Sequence, residues 1–268
     1  MAGLELEGKS VLLTGATGGI GNAIARALHA RGASLLLTGR RIEVLEKLRD
    51  ELGERADVAQ ADLADRADVA RLCERVTELD VLVANAGLPA SGRIEEFSPE
   101  EIDRALDVNL RAPLQLARAA APAMVERGRG HLVFVSSIAG KVASPGSGLY
   151  SATKFGLRAF AAGLRQDLHG TGVGATAVFP GFIRGAGMFA EADVKLPRGV
   201  GTRSPEQVAE AVVTGIEQDK AEIDVAPLSF RLGARLAAVS PALSARVQRR
   251  AGGSELSEAI ARGQADKR

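Results

Sequence analysis

Tyr150 and Lys154 are the residues whose types and spacing carry the most chemistry in this chain, and Tyr150 is its only tyrosine. Four positions apart on a helix, the two side chains share one face, one turn from each other. An ammonium ~5 Å from a phenol, at an effective dielectric of ~20, favours the phenolate by about 3 kcal/mol, roughly two pKa units. A phenol with a free pKa near ~10 would then approach the range in which a general acid or base works. Tyr-x-x-x-Lys alone is a weak pattern, equally that of a buried tyrosine beside a solvated lysine, so the surrounding elements decide. Ser137 supplies a second hydroxyl. His131-Leu132-Val133-Phe134-Val135 reads as a strand with Ser136-Ser137 at its carboxyl end, the place where open α/β sheets bind ligands. The loop from Gly140 to Gly148 then leads into a helix over residues 150–168, so both hydroxyls can turn toward one point.

The elements that must position these groups alternate along the chain. Val11-Leu12-Leu13 is a short apolar run, followed by Thr14-Gly15-Ala16-Thr17-Gly18-Gly19-Ile20-Gly21 and a helical stripe of Ile24, Ala27, Leu28 and Ala30. Glycines between a strand and a helix let the backbone approach a pyrophosphate, and the helix start offers free N–H groups and a positive dipole. The spacing Gly15, Gly19, Gly21 differs from the common G-x-G-x-x-G fingerprint. Ser34 to Thr38 is a second strand, and Arg40-Arg41 follows it. In dinucleotide folds an acid at this place accepts from the ribose of NAD, whereas arginine accommodates the 2′-phosphate of NADP. Two guanidiniums and no acid here predict NADP(H) over NAD(H).

Strands over residues 55–60, 80–84, 173–179 and 222–225, with helices over 41–52, 65–78 and 98–127, predict a parallel sheet covered by helices on both faces. Ser98-Pro99-Glu100-Glu101 carries the signature of a helix start: a serine N-cap, a first-turn proline and a capping-box acid. Asn109 falls inside that helix, where a buried amide needs a partner. Ser204-Pro205-Glu206-Gln207 repeats the signature. Between Gly181 and Gly201 a glycine-rich stretch with Phe182, Met188 and Phe189 has the composition of a lid.

Composition narrows the classes. A net charge of +1 in 268 residues argues against nucleic acid. One cysteine excludes an internal disulfide framework, and Cys73, in the stripe Val69, Leu72, Cys73, Val76, reads as core rather than nucleophile. The acidic start and the absence of a long apolar run predict neither a signal peptide nor a membrane span, and so a cytoplasmic protein. The three histidines show no ligand spacing, so no metal is expected.

Taken in order, these motifs make the chain closely similar to the short-chain dehydrogenases/reductases in their single-domain form, over residues 6 to 227. The resemblance implies a Rossmann-type, doubly wound parallel sheet and hydride transfer between a nicotinamide and an apolar ketone, aldehyde or secondary alcohol. It implies a catalytic tetrad of Asn109, Ser137, Tyr150 and Lys154. Tyr150 would pass the proton, Lys154 would lower its pKa and bond the nicotinamide ribose, Ser137 would hold the carbonyl oxygen, and Asn109 would anchor a relay water. Cofactor contacts would come from Thr14, Gly15, Thr17, Gly19, Ile20 and Gly21, from Arg40 and Arg41, from Asp62 and Leu63 at the adenine, from Asn85-Ala86-Gly87, and from Pro180, Gly181 and Ile183 beside the nicotinamide, with Tyr150 and Lys154 shared. Two departures stand out. Gly185 lies near the place where the family often has a carboxamide-binding threonine. Asp224-Val225-Ala226-Pro227 runs into about forty further residues, which favours a dimer through helices 98–127 and 150–168 over a tetramer.

Residues 228–268 read as a helical extension. Leu228, Leu232, Leu236, Val239, Leu243 and Val247 recur at helical spacing, interrupted at Pro241, and residues 228–250 hold five arginines and no acid. Such a stripe covers the protein's own cleft or a partner subunit, or else lies on an anionic membrane surface. Three alternatives to an NADP(H)-dependent oxidoreductase stay open: a catalytically silent NADP-binding sensor or scaffold, an NAD-dependent alcohol dehydrogenase, and a peripheral membrane protein targeted by its tail.

Overall fold

The computed structural model describes residues 3–188, 201–250 and 253–264, with the side chains of 248–250 and 253–257 left aside. Phe189, part of the expected lid, lies outside the described residues. Seven strands form one parallel sheet: β1 (Ser10–Thr14), β2 (Ser34–Gly39), β3 (Ala56–Gln60), β4 (Val81–Ala84), β5 (Gly130–Val135), β6 (Val173–Pro180) and β7 (Glu222–Val225), in the order β3-β2-β1-β4-β5-β6-β7. The order reverses between β1 and β4, which opens a crevice at the carboxyl ends of the strands. In the central register Leu12 lies beside Leu36 on one side and Leu82 on the other.

Every residue of β4, β5 and β6 is buried, as expected of strands covered on both faces. Alternate side chains feed two cores. On one face Val11, Leu13 and Val83 meet α1 (Gly19–Ala30), α2 (Ile42–Leu52) and α7 (Pro205–Glu217) through Ile24, Leu45 and Val212. On the other, Leu12, Leu82 and Phe134 meet α3 (Arg66–Val76), α5 (Ala112–Glu126) and α6 (Gly148–Asp167) through Leu72, Leu116 and Leu157. Cys73 is half-buried against this second core, with its thiol pushed up by burial, as befits a packing residue.

The single helix expected over residues 98–127 is divided. α4 (Pro99–Leu106) begins at a Ser98/Glu101 capping box, widens into a π-helical segment over Asp107–Arg111, and continues as α5. Wide turns of this kind mark functional positions in helices, and Asn109 sits in this one. The tail forms α8 (Leu228–Val239), α9 (Pro241–Arg250) and α10 (Gly253–Gln264). Pro241 begins α9 and so ends α8 at Ser240, since proline has no N–H to continue the ladder.

Candidate active site

A cleft of about 1670 Å³ opens at the carboxyl edge of the sheet. Its floor begins with the β1–α1 turn. Gly15 has φ +69°, and a side-chain carbon there would lie 2.8 Å from the Ala86 Cα. A carbon on Gly21 would overlap the Gly15 carbonyl oxygen, so the turn admits only glycine at both positions. Thr14 braces this turn from behind. Its Oγ1 accepts from the N–H groups of Asn85 and Ala86, both at 3.0 Å, while Asn85 Nδ2 donates to the Thr14 carbonyl at 3.0 Å. Thr14 is thus buried below the cleft instead of lining it, a correction to its expected place among the contact residues.

The other glycines of the turn, with Thr17, Ile20, Arg40, Arg41, Asp62 and Leu63, line the cleft. Arg41 Nη2 donates to the Thr17 carbonyl at 2.7 Å, which ties the end of β2 to the glycine turn. Arg40 is exposed, and among the described residues its guanidinium makes no ion pair. Asp62 accepts from the Ala64 N–H at 3.0 Å and lies 3.6 Å from Arg104, a cleft residue that sequence reasoning missed. These groups fit a phosphorylated dinucleotide. The N-terminus of α1 has no side-chain cap, and the buried Thr38 Oγ1 has no partner among the described residues at the end of β2.

The reacting groups gather where β5 meets α6. Ser136 Oγ donates to the Lys154 carbonyl at 3.0 Å, and Phe134 packs edge-on against Phe160 at 5.5 Å, so the helix is clamped to the strand. Ser137 Oγ accepts from the Ala139 N–H at 3.1 Å and donates to the Pro180 carbonyl at 3.5 Å, near enough to the Tyr150 phenol to act on its pKa. Lys154 Nζ donates to the Val135 carbonyl at 3.1 Å and lies 5.7 Å from the centroid of the Tyr150 ring. The expected lowering of the phenol pKa is reversed here. Burial pushes Tyr150 up to about 12, with the Ser137 hydroxyl acting the other way, and burial pushes Lys154 down to about 8. Desolvation disfavours both charged forms, and it outweighs the attraction that spacing alone implies.

Asn109 is fully buried one layer behind the cleft. Its Oδ1 accepts from the Leu88 N–H at 2.6 Å and its Nδ2 donates to the Leu88 carbonyl at 3.0 Å. Nδ2 also donates to Thr153 Oγ1 at 3.4 Å, so the amide ties the segment after β4 to α6. At Gly87 a side-chain carbon would lie 3.4 Å from Asn109 Oδ1, 3.5 Å from Lys154 Nζ and 3.3 Å from Met188 Cε. The four residues meet at one spot.

A family model described as short chain dehydrogenase matches residues 9–196. The chain belongs to that family. It is accordingly an oxidoreductase of the short-chain dehydrogenase type. Among its relatives, the NADP-dependent 3-hydroxy acid dehydrogenase YdfG of Salmonella typhimurium is 42% identical over 180 residues, 65% of this chain and 73% of that protein. The ketoacyl reductase HetN of Nostoc is 35% identical over 227 residues, 82% of this chain and 79% of its own. A solved short-chain dehydrogenase from Sphingobium yanoikuyae in complex with NADPH superposes with a TM-score of 0.75 at 30% identity, covering 88% of this chain and 95% of that one.

Within this short-chain dehydrogenase the departure at Gly185 has a backbone cause. Gly185 has φ +70°, a conformation that a β-branched threonine avoids. Pro180, Gly181 and Ile183 line the cleft as expected. The lid residues nearest the site press on the turn: a carbon on Gly19 would lie 2.5 Å from Ala186 Cβ, and one on Gly187 would lie 3.1 Å from Ile20 Cδ1. The tail contributes what the sequence did not disclose. Phe230 of α8 meets Phe182 edge-on at 5.5 Å, and Gln264, at the end of α10, is buried and donates from Nε2 to the Met188 carbonyl at 3.0 Å. Of the apolar stripe only Leu236 and Val247 reach the cleft. Leu228, Leu232, Val239 and Leu243 are exposed, so the stripe is not the cleft's cover.

Proposed function

We propose that the protein is an NADP(H)-dependent oxidoreductase that interconverts an apolar ketone or aldehyde with the corresponding alcohol. The observation that carries this reading is the meeting of Ser137, Tyr150 and Lys154 at one end of a cleft whose other end holds Arg40 and Arg41. Arg40 and Arg41, beside the unpartnered Thr38 hydroxyl, would hold the 2′-phosphate, and the glycine turn the pyrophosphate. The bound nicotinamide supplies or accepts the hydride. In reduction, Tyr150 gives its phenolic proton to the carbonyl oxygen of the substrate, and in oxidation it takes that proton back. Ser137 donates a hydrogen bond to the same oxygen as negative charge builds there. Lys154, when protonated, stabilises the phenolate that remains. Phe182, Phe230, Leu236 and Met188 supply an apolar wall suited to a substrate with a hydrocarbon body. The names of the relatives, a 3-hydroxy acid dehydrogenase and a ketoacyl reductase, favour substrates with an oxygen function near a carboxyl or acyl group.

The test is kinetic. Tyr150→Phe should lower NADPH-linked turnover by about a thousandfold or more while NADPH still binds. In the same assay Arg40→Ala should weaken NADPH by about tenfold and NADH little. Undiminished turnover in the first variant would remove Tyr150 from the mechanism, and equal weakening of both cofactors in the second would overturn the NADP assignment.

A further inference from the structure

Among the described residues nine large hydrophobic side chains stand exposed, and five of them belong to the 20 positions from Leu228 to Val247. Val239 is 86% exposed, Leu228 64% and Leu232 52%. Monomeric soluble surfaces seldom concentrate apolar groups in this way without an interaction partner. The same stretch carries three arginines and no acid, and Arg249-Arg250 follow it. Arg231 lies 3.8 Å from Asp224, whereas Arg235 and Arg246 are exposed and make no ion pair among the described residues.

From this combination we infer that the outward face of α8 and α9 docks on an anionic membrane surface, with Leu232, Val239 and Leu243 entering the headgroup boundary and the arginines among lipid phosphates. No described helix is long and apolar enough to cross a membrane, and helices of 12 and 10 residues can lie only in its plane. Charge decides against a second copy as the occupant. A two-fold contact sets a surface against itself, so self-pairing would oppose two cationic stretches that bring no acid of their own. Acidic headgroups supply the missing countercharge.

The docking face adjoins the cleft on the same helices, since Leu236, one turn from Leu232, lines the cleft. Phe230 and Leu236 of α8 line the cleft while Leu228, Leu232 and Val239 face outward, and Val247 is both a lining residue and half exposed. Docking would therefore bring the cleft's apolar wall to the bilayer, and the substrate class follows: a ketone or alcohol that partitions into lipid. This second step rests on the redox reading above, whereas docking itself does not.

Co-sedimentation of the full chain with vesicles separates the two. Vesicles of phosphatidylcholine with about 30 mol % phosphatidylglycerol should pull the protein down, pure phosphatidylcholine vesicles should do so far less, and about 0.5 M salt should release it. The double variant Leu232→Glu/Val239→Glu, altered at exposed positions outside the cleft, should bind the anionic vesicles at least tenfold more weakly with an unchanged melting temperature. Arg235→Glu/Arg246→Glu should abolish the preference for anionic lipid. Wild-type protein left in the supernatant with both vesicles would overturn the inference, as would equal sedimentation of the wild type and the leucine–valine variant. If that variant instead turned an oligomer into a monomer with no vesicle binding by either form, the face would belong to a second copy. Sedimentation reads no turnover, so an inactive enzyme that docks would sink the redox reading alone.

Discussion

Lys154 is a cation that the fold keeps in an unfavourable place. It is 3% exposed, its ammonium donates to the Val135 carbonyl, and burial brings its pKa from 10.5 down to about 8. Below about pH 8 both native and unfolded chains hold the proton, and the native state bears the full desolvation cost, about 3 kcal/mol from the shift. Between about pH 8 and 10.5 the unfolded chain holds a proton that the native chain has released, so this site makes stability rise with pH there. Lys154→Met should accordingly raise unfolding stability near pH 7 by about 1–3 kcal/mol, the orphaned Val135 carbonyl offsetting part of the gain, while turnover is lost. Urea unfolding at about pH 7 and 10 measures it; a variant less stable than wild type at both would mean that the ammonium contributes more by its hydrogen bond than it costs by burial. The i, i+4 spacing of Tyr150 and Lys154 was legible from sequence, but the direction of the phenol's shift was not. Spacing gives the charge–phenol distance, whereas the desolvation that dominates comes from the packing of α6 against β5 around both groups.

At the scale of elements, the wide turn over Asp107–Arg111 is the informative departure. The capping signature at Ser98 predicted one helix running through to residue 127, with Asn109 inside it. Nothing local marks the extra residue except an amide where none is wanted. Asn109 replaces a strand partner for the Leu88 backbone, and in doing so fixes the segment after β4 beside Gly87 and Lys154. Asn109→Ala would leave a buried N–H and a buried carbonyl unpaired, at about 1–3 kcal/mol each. We expect the melting temperature to fall by several degrees and turnover to fall with it. A variant that melted with the wild type would mean that Leu88 finds other partners. The glycine turn, by contrast, was readable in full, since close approach of backbone to backbone leaves glycine as the sole choice, and the sequence shows it directly.

The parallel sheet and its two helical layers could be read from alternation alone, because each buried strand is a continuous apolar run bounded by turn residues. The association of subunits could not, since α5 and α6 have faces whose use depends on what lies outside the chain. Phe155, on α6, is 38% exposed, and Leu106 and Val125 on the neighbouring helices are similarly open, and we propose a homodimer packed through these helices, as the sequence led us to expect. Phe155→Glu should convert a dimer to monomer in light scattering, and Val239→Glu should not. A dimer that survived the first change would move the interface elsewhere.

The division at residue 227, set by the extent of the family resemblance, does not separate the tail from the cleft. Gln264 grips the carbonyl of Met188, and Met188 in turn touches the spot shared by Gly87, Asn109 and Lys154. Removing the last forty residues would take Phe230, Leu236 and Gln264 out of the cleft wall and free the Met188 carbonyl, so a shortened enzyme would be a different catalyst.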